Sequence, residues 1–251
     1  MKKITLVNIF IRSFFIHVTL NFRRMQNMGF AMSIIPLIGE WNLQESDADE
    51  LMAKHLQRFN TNPYFAAPVI GAAVRLEEEK RGGASNADAV AIKQSMMGPY
   101  AAIGDTFFWG ALRPFAAIIA VAVAFTSSLI MAPVAFLLLY TPSQIWIRLK
   151  GFLEGYQRGK QGIEFIRMMN LPRTAVRIRF LSLIILSFSS LWLFRDFYQP
   201  LINNYEIIFK LIALAVVMLC VLLIKKKVSQ FYIVYAAALI FLSISLGVSL
   251  A

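Results

Sequence analysis

From Thr106 onward the sequence alternates between long apolar runs and short polar links, and the charges in those links are almost all lysine and arginine. Few folds in water accommodate that pattern. A helical run of about 20 apolar residues matches the hydrocarbon core of a bilayer. Such runs fall at about 106–125, 129–147, 180–194, 207–224 and 230–250. Composition agrees: 58% of the 251 residues are apolar, against roughly 45–50% in soluble domains. The pattern predicts an all-α integral membrane protein with four to five transmembrane helices.

The charges orient it. Residues 148–179 hold eight Lys or Arg against two Glu, and Lys225-Lys226-Lys227 follows the fourth run. Cytoplasmic loops carry this excess. Two runs separate the two basic blocks, so both face the cytoplasm. Residues 126–128, the link 195–206 and the C-terminus then fall outside, and the N-terminus inside. The net charge of +11 lies between oily runs rather than in one patch of a soluble domain, which argues against nucleic acid as a partner.

The first hundred residues are less oily. MKKITLVNIFIRSFFIHVTL has the lysines of a signal peptide, but Arg12 interrupts its apolar part and no small-x-small site follows. An uncleaved amphipathic helix at the membrane surface is expected over 4–20. Five of the fourteen acids lie between Glu40 and Glu50. Ser46 is expected to cap a helix from about Asp47 to Phe59, its acids facing the positive helix end. Residues 75–97 read as a cytoplasmic helix, a break at Gly82-Gly83 and a second helix. The chain divides into 1–97, with interfacial and cytoplasmic helices, and 98–251, the membrane domain.

Two apolar pieces are too short and too interrupted to span. The first, 63–74, holds Pro63, Pro68 and Gly71. The second begins at Gly98 and holds Pro99 and Gly104 before Asp105. Both read as broken or re-entrant hairpin segments. Irregular backbone at membrane depth is tolerated only where protein or a water cavity surrounds it, and transporters place substrate sites at such breaks. Asn60 and Asn62 flank the first piece. Asp105 and Thr106 stand in the second, with Trp109 close by as a ring that could stack on a sugar face. Asp105 also fits the N-cap of a helix starting at Thr106, Asn60 and Asn62 also fit turn positions before Pro63, and aromatics at 107–109 also fit packing. Arg113 fits a snorkelling or partner-pairing role.

Machinery for catalysis is missing. No GxSxG, HExxH or GxxxxGK[ST] occurs. Cys220 is alone, and His17 and His55 are far apart, so neither a metal site nor a cofactor is expected. His55 is expected on a polar surface, and Glu77-Glu78-Glu79 on a solvated helix face.

NFRRMQNMGFAMSIIP (21–36), HLQRFNTNPYFAAPVIGAAVRLEEEK (55–80) and GPYAAIGDTFFWGALRP (98–114) resemble the IID membrane component of the mannose–fructose–sorbose family of bacterial phosphotransferase systems. The resemblance runs in order over roughly 4–170. It implies an inner-membrane sugar permease subunit that works with a IIC membrane subunit. Soluble IIA and IIB subunits would carry the phosphoryl group, so the chain itself is not an enzyme. It implies a sugar-pathway or hairpin role for Asn60, Asn62, Gly98, Pro99, Gly104 and Asp105. The alternatives are a scaffold for IIC that touches no substrate, a degenerate paralogue, and a stand-alone secondary transporter. Beyond about residue 175 the chain is shorter than the family pattern.

Overall fold

The computed structural model describes residues 1–84, 88–127 and 129–193, together with 215, 219, 222, 223 and 226. The expected fourth and fifth spans and the link 195–206 lie outside the described residues, apart from those isolated positions. Contacts gather the chain into two units, Met1–Ser189 and Ser190–Ala251. The first unit holds every candidate site residue.

That unit is helical. Four helices lead in: α1 (Lys3–Ser13), α2 (Asn27–Ile34), α3 (Pro36–Glu40) and α4 (Glu45–His55). α5 (Ala66–Arg81) and α6 (Ala89–Gly104) follow. A π-helical segment (Asp105–Leu112) joins α6 to α7 (Arg113–Thr126) without a gap. α8 (Met131–Arg158) ends where Gly159 turns to φ 52. A 3₁₀ turn (Gly159–Gln161), α9 (Gly162–Met168) and α10 (Leu171–Leu193) complete the order. Among the described residues the extended pairing amounts to isolated bridges, Asn21 with Met25 and Met25 with Phe59.

α5 is the central helix. Every residue from Ala66 to Val74 is buried, so the first apolar piece is a packed helix and not a re-entrant hairpin. Its breakers serve packing. Pro68 sits in the first turn, where a proline costs no hydrogen bond. Gly71 lies against the Phe152 carbonyl of α8, and Gly151 and Gly155 of α8 lie against Pro68. Small residues on both sides let two backbones approach closely.

The second piece is also unbroken. Ala89–Thr126 is continuous over 38 residues, and among the described residues it is the one helix long and apolar enough to cross a membrane. Gly98 and Pro99 lie within α6. The irregularity falls later, as the π segment, the usual compact way for a helix to absorb a misfit. Asp105 is not an N-cap, because helix precedes it and it stands at the junction of α6 with the π segment. The boundary between 97 and 98 falls inside α6. The helix that carries the expected third span starts earlier, at Leu171.

α4 differs at both ends from the expected 47–59. It starts after Gln44, with Ser46 inside it, and stops at His55. Acids stand in its first turn and Lys54 and His55 in its last, as the helix dipole favours. The stop has a cause: Lys93 of α6 donates to the carbonyls of His55 at 2.7 Å and Gln57 at 3.2 Å. The chain beyond His55 then leaves the helix to pair with residues 24–26.

Candidate substrate-contacting site

Asn62 and Asp105 meet. Asn62 Nδ2 donates to Asp105 Oδ1 at 2.9 Å. The other end of the amide is also fixed, since Tyr64 N donates to Asn62 Oδ1 at 3.1 Å and Phe65 N to the Asn62 carbonyl at 2.9 Å. Asn62 is therefore both a turn residue, locking the entry to α5, and a donor to the π segment. Gly104 makes the approach possible: a Cβ there would run into the side chains of Asn62 and Phe65.

The loop carrying Asn62 is held from behind by Gln26, which is buried. Gln26 Nε2 donates to the Thr61 carbonyl at 2.7 Å, and Thr61 N donates to Gln26 Oε1 at 3.0 Å. Gln26 N also donates to the Phe59 carbonyl at 2.8 Å. One side-chain amide thus copies a strand's pairing on a loop that has no neighbouring strand. Nothing local in the sequence signals this role, because a lone glutamine in a polar run looks like surface.

The remaining candidates spread out. Asn60 is exposed, and its N–H points at Met97 Sδ, 3.2 Å away. Asp105 and Trp109 are exposed and Thr106 is half-buried. Pro63 is buried at the foot of α5, and Gly98 and Pro99 are exposed. Phe107 and Phe108 are core residues: Phe108 packs with Tyr64 (ring centroids 4.5 Å apart), Phe65 and Tyr140. Their role is packing, which leaves Trp109 as the accessible ring of the three.

A second polar cluster overturns two expectations. His55 is fully buried and Glu77 nearly so. α4 packs on α2, and its last turn brings Lys54 and His55 to Glu77 of α5. His55 Nε2 lies 2.9 Å from Glu77 Oε1, and Lys54 Nζ donates to the same oxygen at 2.6 Å. Phe30 stacks on the imidazole, with centroids 5.5 Å apart. Burial pushes the His55 pKa below its ordinary value, against the pull of Glu77. His55 Nδ1 is buried without a partner. A neutral ring with its proton on Nε2 satisfies this geometry, since a proton on Nδ1 would find no acceptor. Hydrogen bonds from His55 and Lys54 hold the Glu77 carboxyl below its usual range despite burial.

By length and composition Ala89–Thr126 could cross a membrane, and it carries a carboxylate at its irregular turn, features that fit a helical membrane protein. A solved chain described as "Structure of membrane protein" shares the fold, with TM-score 0.70 and 26% identity over 96% of each chain. A chain in the cryo-EM structure of the mannose transporter ManYZ with microcin E492 gives TM-score 0.59 and 26% identity, covering 97% of this chain and 96% of its own. The family model "PTS system mannose/fructose/sorbose family IID component" matches residues 1–190. The chain belongs to that family. The mannose-specific IID component of Escherichia coli K12 is 35% identical over 164 residues, 63% of this chain and 58% of its own. The sorbose-specific IID component of Klebsiella pneumoniae is 32% identical and the fructose permease IID component of Bacillus subtilis 31%, each match covering 59% of the relative. The chain thus spans less than two thirds of the length of these relatives.

Proposed function

We propose that this chain is the IID subunit of a sugar phosphotransferase permease in the bacterial inner membrane. It pairs with a IIC subunit to form the path for a hexose or amino sugar. Soluble IIA and IIB subunits carry the phosphoryl group from phosphoenolpyruvate and pass it to the incoming sugar, so this chain performs no chemistry alone. The basic blocks 148–179 and 225–227 face the cytoplasm, as does the N-terminus. Family membership over residues 1–190 supports this reading.

The observation that carries the site is the contact between Asn62 and Asp105. It joins two motif blocks 43 residues apart at a helix irregularity, and it leaves one carboxylate oxygen of an exposed Asp105 free of that bond. Carboxylate and amide side chains recognise sugar hydroxyls by hydrogen bonds, and a site built for hydroxyls rejects analogues that lack them. Asn60, Thr106 and Trp109 are the further candidates on the same two motif blocks.

The test is sugar uptake and phosphorylation in cells deleted for their own mannose-family permease. The chain is expressed with and without its IIC partner, in the presence of the soluble components. Phosphorylated sugar that appears only with IIC supports the subunit reading. A stable IIC complex without uptake would instead leave the chain as a scaffold, a role that the turn-locking bonds of Asn62 already fit.

A further inference from the structure

Pro114 interrupts the hydrogen bonding of the long helix. Proline has no N–H, so position 114 gives nothing to Gly110 in the α register or to Trp109 in the π register. The π segment shifts the local pattern, with Arg113 N donating to the Phe108 carbonyl. The Gly110 carbonyl is reached from another helix. Arg179 of α10 donates Nε to Gly110 O at 2.9 Å and Nη2 to Thr106 O at 3.3 Å. Gly110 makes room for the guanidinium, because a Cβ there would lie 2.9 Å from Arg179 Nη2. Two carbonyls one turn apart are taken by one planar fork, a geometry that lysine lacks. Both bonds land on the segment that starts with Asp105 and Thr106.

We propose that Arg179 is a positioning residue for transport. It supplies the hydrogen bond that Pro114 cannot, fixes the π segment, and so sets how Asp105 is presented beside Asn62, a role that rests on the transport reading of Asp105 given above. In the sequence Arg179 is one of eight cations in a block that otherwise marks the cytoplasmic side. The structure assigns it a separate task.

Two measurements on the full complex with IIC test this. The first is the sugar concentration for half-maximal uptake, compared at equal membrane level and equal IIC co-purification. Arg179→Gln raises it roughly tenfold, which corresponds to about 1.4 kcal/mol of lost fixing. Arg179→Lys does not restore it, because an ammonium cannot hold both carbonyls in the same fork. Pro114→Ala returns an N–H to the helix, so the double variant P114A/R179Q recovers most of the loss. A merely structural role for Arg179 would lower membrane level or IIC co-purification and leave half-saturation unchanged. Unchanged half-saturation in R179Q, or a double variant no better than R179Q, overturns the proposal.

The second measurement is amide hydrogen exchange over 105–115 in the purified complex. R179Q speeds it, and P114A/R179Q slows it again. Equal exchange in wild type and R179Q overturns the clamp, whatever the uptake result. If R179Q does not accumulate, the same comparison is made between wild type and R179K, where equal exchange again overturns it. A wild-type complex without uptake removes the transport reading of Asp105 and with it the positioning role, and exchange still decides whether the clamp exists.

Discussion

Asn62 shows how much one amide can do. Its oxygen ends a turn and its nitrogen reaches Asp105, so two chemically distinct losses are expected from Asn62→Ala and Asp105→Ala. Removing Asp105 leaves the turn intact. Uptake is expected to fall by at least about tenfold with membrane level unchanged, the factor that goes with one lost hydrogen bond to a charged group. Wild-type uptake in D105A would remove Asp105 from the mechanism. Asn62→Ala also loses the turn lock, so lower IIC-complex yield accompanies its loss of uptake. His55 predicts a pH dependence. Its pKa lies below 6.5 in the fold and at about 6.5 unfolded, so the unfolded chain binds the extra proton first. Stability is full above that pH and falls as pH drops from there toward the folded value. Glu77, lowered from 4.5, adds a further loss at more acid pH. Burial and Arg148 lower His17 in the same direction, so thermal unfolding of the detergent-solubilised chain should show His55→Gln shrinking the first step and leaving the second. A drop of unchanged size in H55Q would assign the step to another group.

At the scale of elements, glycine and proline mislead when read as punctuation. Pro68, Gly71 and Gly104 look like breaks in apolar runs, yet each lies in a helix at a close approach to another segment. Gly104→Ala would press a methyl group into Asn62 and Phe65. The expected cost is about 1–3 kcal/mol for overpacking, seen as a lower unfolding midpoint. Gly71→Ala meets the Phe152 carbonyl of α8, which is backbone and cannot swing aside, so a loss of at least that size is expected there. Gly39→Ala is the control, with nothing within 4 Å of the added carbon. Equal midpoints for all three would mean that the close approaches carry no packing stress.

For the whole molecule, the positive blocks make a topological prediction. With Cys220 replaced by alanine, a cysteine at Gln161 should react with a membrane-impermeant maleimide only after the cells are opened. A cysteine at Ser127 should react in intact cells. The reverse pattern would invert the orientation, because the bias of lysine and arginine in short loops is what sets it. The family match ends at residue 190, one residue beyond the first compact unit. Family relationship and contact density therefore outline the same body.

Class and likeness were legible in the chain alone. Bilayer-length apolar runs, dispersed cations and the FNTNP and GPYAAIGD blocks depend only on local order along the sequence, so they led to a helical membrane subunit of one family. Asn62 and Asp105 were legible as candidates because polar side chains beside apolar runs are costly and few. Their bond was not legible, nor were the grip of Gln26 on Thr61, the burial of His55 with Glu77, or the reach of Arg179 to Gly110. Each of these joins residues far apart in the chain, and which partner a buried polar group finds is decided by packing. A histidine on a polar-looking helix, a glutamine in a polar run and an arginine in a basic block carry no local mark of the carbonyl or carboxylate that the tertiary structure sets beside them.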